Sequence, residues 1–163
     1  MYTVHATKKL LVRVRGPIVT TPESAATSLG NWYATAMFWK PQIALFVNER
    51  TFLPLLVPLA PAATLLDRFP DELSVMLHTV GVSAAFVAKE RHLMNQGSYA
   101  KTANRSVLGV MNRYEFELDF VRARIGDDLL HVSLWQAETL VGPLRDYSQT
   151  PLEALLNLIG DGE

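Results

Sequence analysis

Apolar residues in the first half of the chain fall into short runs. Residues 32–39 are aromatic and apolar, residues 43–47 form a second run, and residues 52–57 a third. Runs of this length, rich in aromatic and branched side chains, predict strands. Asn48-Glu49-Arg50-Thr51 separates the last two. A polar connector of hairpin length predicts an antiparallel pair. Pro54 pushes the second strand of that pair towards a sheet edge, because proline has no N–H for the ladder.

From Thr64 the period becomes helical. Leu65, Leu66 and Phe69, then Leu73, Met76, Leu77 and Val80, recur about one turn apart. Pro70 is expected to divide this stretch, as the first residue of a second helix that Gly81 ends. Ser83 is placed to cap a further helix running to about Asn95 and ending before Gly97. Thr150-Pro151-Leu152-Glu153 is a capping box with proline at the first helical position. Leu152, Leu155, Leu156 and Ile159 follow on one face, and Gly160 is expected to stop that helix. Strands first and helices later predict a single α+β domain spanning residues 1–163. A small antiparallel sheet from the N-terminal half would pack against several helices from the C-terminal half, without regular βαβ alternation.

Composition narrows the function. The 163 residues are 49% hydrophobic, enough for an apolar core without metal or disulfide staples. There is no cysteine, which removes disulfides, thiolate metal sites and cysteine nucleophiles. A net charge of −1 argues against coating duplex nucleic acid through bulk charge, while leaving a local basic site open. The longest apolar run, residues 52–63, is broken by Pro54, Pro58 and Pro61 and is too short to span a bilayer. The N-terminus lacks the continuous apolar stretch of a signal peptide, so no membrane association and a cytoplasmic location are expected. Residues 16–30, rich in Pro, Thr and Ser, read as the most flexible stretch.

Candidate chemistry concentrates in Tyr99-Ala100-Lys101-Thr102-Ala103-Asn104-Arg105-Ser106 and the segment after it. Val107, Met111, Tyr114, Leu118, Val121 and Ile125 fall three or four apart, the core stripe of a helix of about five turns. Tyr114, Phe116, Leu118 and Phe120 also alternate with acidic residues, as a strand would. Helix is the better fit through Asn112. If it begins near Asn104 or Ser106, its free N–H groups face Lys101, Thr102 and Arg105, and an anion could be held there by charge and dipole. The purely structural alternative makes Asn104 and Ser106 caps, with Lys101 and Arg105 solvated. Lys101-Thr102 lacks the glycine spacing of a P-loop. Arg105, Gly109 and Asn112 share one line of the helix, where Gly109 would let another backbone or a ligand come close.

The run from Lys101 to Asn112, KTANRSVLGVMN, resembles the characteristic motif of a family of small uncharacterised bacterial proteins, a domain of unknown function. Thr7-Lys8-Lys9-Leu10-Leu11, the block from Leu45 to Pro54, and Ala137-Glu138-Thr139 with Gly142-Pro143 fit the same family, over nearly the whole chain. Val110 and Arg113 stand where the family more often has serine and aspartate. The resemblance implies one domain and brings no activity, substrate or catalytic residue.

Other constellations are weaker. His5, His78, His92 and His131 lack close ligand spacing, so no metal and no cofactor is expected. His78 is placed beside a core helix, and His92 on a solvated face with Lys89, Glu90 and Arg91. No GxSxG marks a serine nucleophile. Glu115, Glu117 and Asp119 read as a solvated face, and Trp32, Tyr33, Phe38 and Trp39 mainly as core, with base stacking the alternative.

Two functions therefore stand. The first is a non-enzymatic binding or regulatory domain for a small anion or phosphate ligand, or for a protein partner. Its site joins Thr7, Lys8 and Lys9 to Lys101, Thr102, Asn104, Arg105 and Asn112. The second is an enzyme acting on a nucleotide or RNA phosphodiester, with His5 as general acid/base and Lys8, Lys101 or Arg105 stabilising phosphate charge. It requires His5 within about 12 Å of the second block. A homodimer through the apolar stretch of residues 53–61 at a sheet edge is a third possibility.

Overall fold

In the computed structural model, residues 1–15 and 17–162 are described, so Gly16, the first residue of the Pro/Thr/Ser-rich stretch, lies outside them. Five strands form one sheet: β1 (Tyr2–Ala6), β2 (Trp32–Met37), β3 (Ile43–Asn48), β4 (Pro54–Pro58) and β5 (Gly97–Lys101), in the order β4-β3-β2-β1-β5. The three apolar runs are β2, β3 and β4, and β3 pairs antiparallel with β4 through the expected hairpin. β2 is also antiparallel to β3, but β1 runs parallel to both its neighbours. The sheet is therefore mixed, not wholly antiparallel. β1 and β5 are five-residue strands in which Thr, His, Ser and Lys interrupt the apolar pattern, so neither stands out locally.

The helices are α1 (Lys8–Val14), α2 (Leu65–Thr79), α3 (Ala84–Leu93), α4 (Arg105–Ile125), α5 (Leu129–Ala137) and α6 (Pro151–Gly162). None among the described residues is long and apolar enough to cross a membrane. The α+β class stands, with most of the sheet drawn from the N-terminal half and most helices from the C-terminal half. α4 is helical throughout its 21 residues, so the alternation after Tyr114 does not make a strand.

Alternation along the strands sorts the core into two layers. Val4, Ala34, Phe46 and Leu55 face Leu10 of α1, Phe69 of α2, Val87 of α3 and Leu155 of α6. Tyr33, Leu45, Val47 and Leu56 face Val107, Met111, Tyr114 and Leu118 of α4. Trp32, Tyr33 and Trp39 are core, whereas Phe38 is exposed.

Several expectations are corrected. Pro70 does not divide a helix: α2 runs through it, and the Leu66 carbonyl that it leaves unpaired accepts a hydrogen bond from the Tyr2 hydroxyl at 2.7 Å. Gly81 does follow the end of α2, in the left-handed region at φ +89°. Ser83 caps α3 by accepting from the Phe86 N–H. The Thr150–Glu153 capping box forms with both reciprocal contacts, but α6 continues past Gly160. Glu90 is not on a solvated face. It is buried, and its carboxylate accepts from the Ser28 and Leu29 N–H groups at 2.5 and 3.3 Å. Those bonds hold the stretch read as flexible, as does the Val19 N–H on the Tyr99 carbonyl. His78 is exposed.

The edge at β4 is closed. Leu56 donates its N–H to Ser133 Oγ of α5 at 2.9 Å, and the positions two residues either side, whose N–H groups would point the same way, are Pro54 and Pro58. Pro54 thus lies on an edge strand as predicted. Residues 53–57 are buried, so a homodimer has no open ladder to pair with here.

Candidate functional site

The two basic blocks meet at one end of the sheet because β1 and β5 are parallel and in register. His5 is opposite Ala100 and Ala6 opposite Lys101. Thr7 and Thr102 therefore leave adjacent strands about 5 Å apart and in the same direction. α1 then packs on one face of the sheet and α4 on the other. Chain segments that diverge in this way from neighbouring parallel strands open a crevice at the strands' carboxyl ends.

His5 is fixed within that crevice. Its Nδ1 lies 2.9 Å from the Lys101 carbonyl oxygen, and its ring stacks on Tyr33 with centroids 4.7 Å apart. The Tyr33 hydroxyl in turn accepts from the Asn104 N–H at 2.9 Å. Thus His5, Tyr33 and the turn before α4 form one continuous set of contacts, and the proximity that the enzyme reading demands is met. A cleft of about 310 Å³ opens beside them, lined by His5, Lys101, Thr102 and Ala103 together with Val19, Thr20 and Pro22.

The other sequence-marked residues differ in their availability. Lys8, Lys101 and Arg105 are exposed, and none is in an ion pair among the described residues. Lys9 is committed to Glu115 of α4 at 2.8 Å, with its ammonium 5.5 Å from the Phe38 ring. Thr7 precedes α1 and holds Thr35 hydroxyl to hydroxyl at 2.7 Å. Asn104 caps α4, its Oδ1 accepting from the Ser106 and Val107 N–H groups at 2.9 and 3.2 Å. The cap thus takes up donors that an anion at this helix start would use. Ser106 receives the cap and does not supply it. Asn112 is exposed, about 10 Å along α4 from Arg105, and does not share the cleft.

Tyr33 and residues 18–22 were not singled out for this site by the sequence. Ile18 bridges to Tyr99 in parallel, which brings the loop along the outer edge of β5. No local pattern signals that bridge; it depends on β5 being a strand. Glu115, Glu117 and Asp119 are each engaged, by Lys9, Arg113 and the Trp39 indole N–H. Among the described residues no group of three or more His, Asp or Glu is placed to hold a metal. A larger hollow of about 500 Å³ between α2, α5 and α6 holds His131 and Glu138 but neither basic block.

Residues 3–154 match the family model described as a domain of unknown function (DUF6933). No curated protein and no solved structure matches the chain.

Proposed function

The chain belongs to the DUF6933 family of domains of unknown function, and from its cleft we propose that it is a non-enzymatic binding domain for a small phosphate-bearing anion. The observation that carries this reading is the register of β1 against β5, which brings Lys8 and the Lys101–Arg105 turn to one mouth. Lys101 and Arg105 supply charge, and the half-buried Thr102 hydroxyl supplies a donor at the wall of the cleft. Side chains carry the recognition, because Asn104 already occupies most of the α4 helix start.

Titration of the protein with inorganic phosphate and then nucleoside monophosphates, read by calorimetry and by amide shifts, tests it. Saturable binding in about the millimolar range is expected for phosphate, tighter for a nucleotide. Lys101→Ala and Arg105→Ala should each weaken it about tenfold. Shifts scattered over the surface without saturation would overturn the reading.

One contact favours a second reading, the phosphodiester enzyme. A carbonyl oxygen only accepts, so Lys101 fixes the proton of the neutral His5 ring on Nδ1 and leaves Nε2 as the proton acceptor. In that reading His5 exchanges the proton while Lys8, Lys101 or Arg105 offsets phosphate charge. Cleavage of an activated phosphodiester or a short RNA that is lost in His5→Gln would favour the enzyme. Ligand binding without turnover would favour the binding domain.

A further inference from the structure

Gly109 sits in the interior of α4, where glycine is disfavoured in a helix, and the usual compensation is the close approach of another group. Within this chain there is none, since a Cβ at Gly109 would meet no heavy atom within 4 Å. The same side of α4 carries Arg105, Asn112, Phe116 and Phe120. At about 100° per residue, these project opposite the buried stripe of Val107, Met111, Tyr114 and Leu118. Phe116 is 70% and Phe120 61% exposed, the two rings packed edge to face at 5.4 Å. An aromatic pair this open, in line with an unoccupied glycine, is a surface that lacks its cover.

We propose that a second copy of this chain covers it, the two α4 helices packing antiparallel about a two-fold axis beside Asn112. Gly109 and Phe116 lie three and four residues either side of that point. The axis therefore seats each Phe116 ring on the Gly109 of the other copy. It also sets Arg105 of one copy against Asp119 and Phe120 of the other, cation against carboxylate and aromatic face. A parallel pairing would instead oppose Arg105 to Arg105 and leave glycine facing glycine. The closed edge of β4 directs self-association away from the sheet and towards this helix.

One pair of helices about 30 Å long lies at the small end of specific interfaces, so the dimer forms with rising concentration. Sedimentation of the full chain from about 10 μM to 1 mM should show the mass climbing towards the dimer. Phe116→Asp should weaken association at least tenfold while the far-UV spectrum and melting profile stay unchanged, because the side chain leaves the fold's contacts intact. The chain contains no cysteine, which makes disulfide trapping clean. Asn112→Cys should cross-link on mild oxidation. Ala123→Cys, on the same outward line but about 30 Å from its own copy across the axis, should not. A wild-type chain that stays monomeric across the range, dimerisation indifferent to Phe116→Asp, or equal cross-linking of the two cysteine variants would each overturn the proposal.

Discussion

The Tyr2 hydroxyl donates to the Leu66 carbonyl oxygen at 2.7 Å, which is the acceptor that Pro70 leaves without its helical N–H. An orphaned carbonyl inside a helix costs free energy unless another donor reaches it. Here the first strand supplies that donor to the second helix, across 64 residues of sequence.

A double-mutant cycle measures this link. Tyr2→Phe should cost about 1 kcal/mol in urea denaturation, the ordinary value for a hydrogen bond whose loss leaves a buried acceptor. Alanine at position 70 restores an N–H, so Tyr2→Phe should cost clearly less in the Pro70→Ala background. Equal costs in both backgrounds would show that the hydroxyl does not stand in for the missing helical bond.

A second cross-element contact is testable at the closed sheet edge. Ser133 Oγ accepts from the Leu56 N–H at 2.9 Å and donates to the Leu129 carbonyl at 2.7 Å. Ser133 is fully buried. Ser133→Ala should therefore destabilise by about 1–3 kcal/mol, because the Leu56 N–H is left without water or partner. Hydrogen exchange at Leu56 should accelerate beyond the change in global stability. Unchanged exchange there would mean that Ser133 is not what protects the edge.

These contacts also mark where sequence stops being legible. The hairpin, the Ser83 cap, the capping box and the stripe of α4 are written in residues a few positions apart, and all appear in the fold. Pro70 is misleading because the remedy for its missing N–H lies in β1. Glu90 sits among Lys89, Arg91 and His92, and only the arrival of residues 28 and 29 makes it a buried acceptor. The two basic blocks could be picked out locally, but their adjacency depends on the parallel pairing of β1 with β5. Residues 18–22 and Tyr33 join the cleft for the same non-local reason.

Alkaline pH should unfold the protein through three buried tyrosines. Burial raises the phenols of Tyr2, Tyr99 and Tyr114 well above the ordinary value of 10.0; nearby carboxylates add to this, while Arg91, Arg68 and Arg113, respectively, oppose it. A group with a raised folded-state pKa contributes its full stability below the unfolded value. That contribution is lost as pH climbs from there towards the folded value, because the unfolded chain sheds its protons first. Stability should thus be insensitive to these groups below about pH 9 and fall above pH 10, by about 1.4 kcal/mol per pH unit for each tyrosine. Urea midpoints measured between pH 9 and 11.5 should show that slope. Tyr114→Phe should make it shallower whatever its effect on absolute stability, and a slope the substitution does not change would exclude Tyr114 from the transition.

Gly109 gives the prediction that separates fold from interface. Its backbone is not in the left-handed region, and an added Cβ meets nothing within the chain. Gly109→Ala should therefore stabilise the monomer by about 1 kcal/mol, the difference in helix propensity with no steric cost to offset it. Gly109→Leu should keep most of that gain, since the added atoms project outward from α4. If α4 pairs with its copy, the larger side chain fills the seat of Phe116 and weakens association even as each monomer melts higher. Opposite signs for the two readouts in one variant would be hard to produce through misfolding. Gly109→Ala that destabilises the monomer at a concentration too low for dimers would show instead that the glycine serves this chain's own packing.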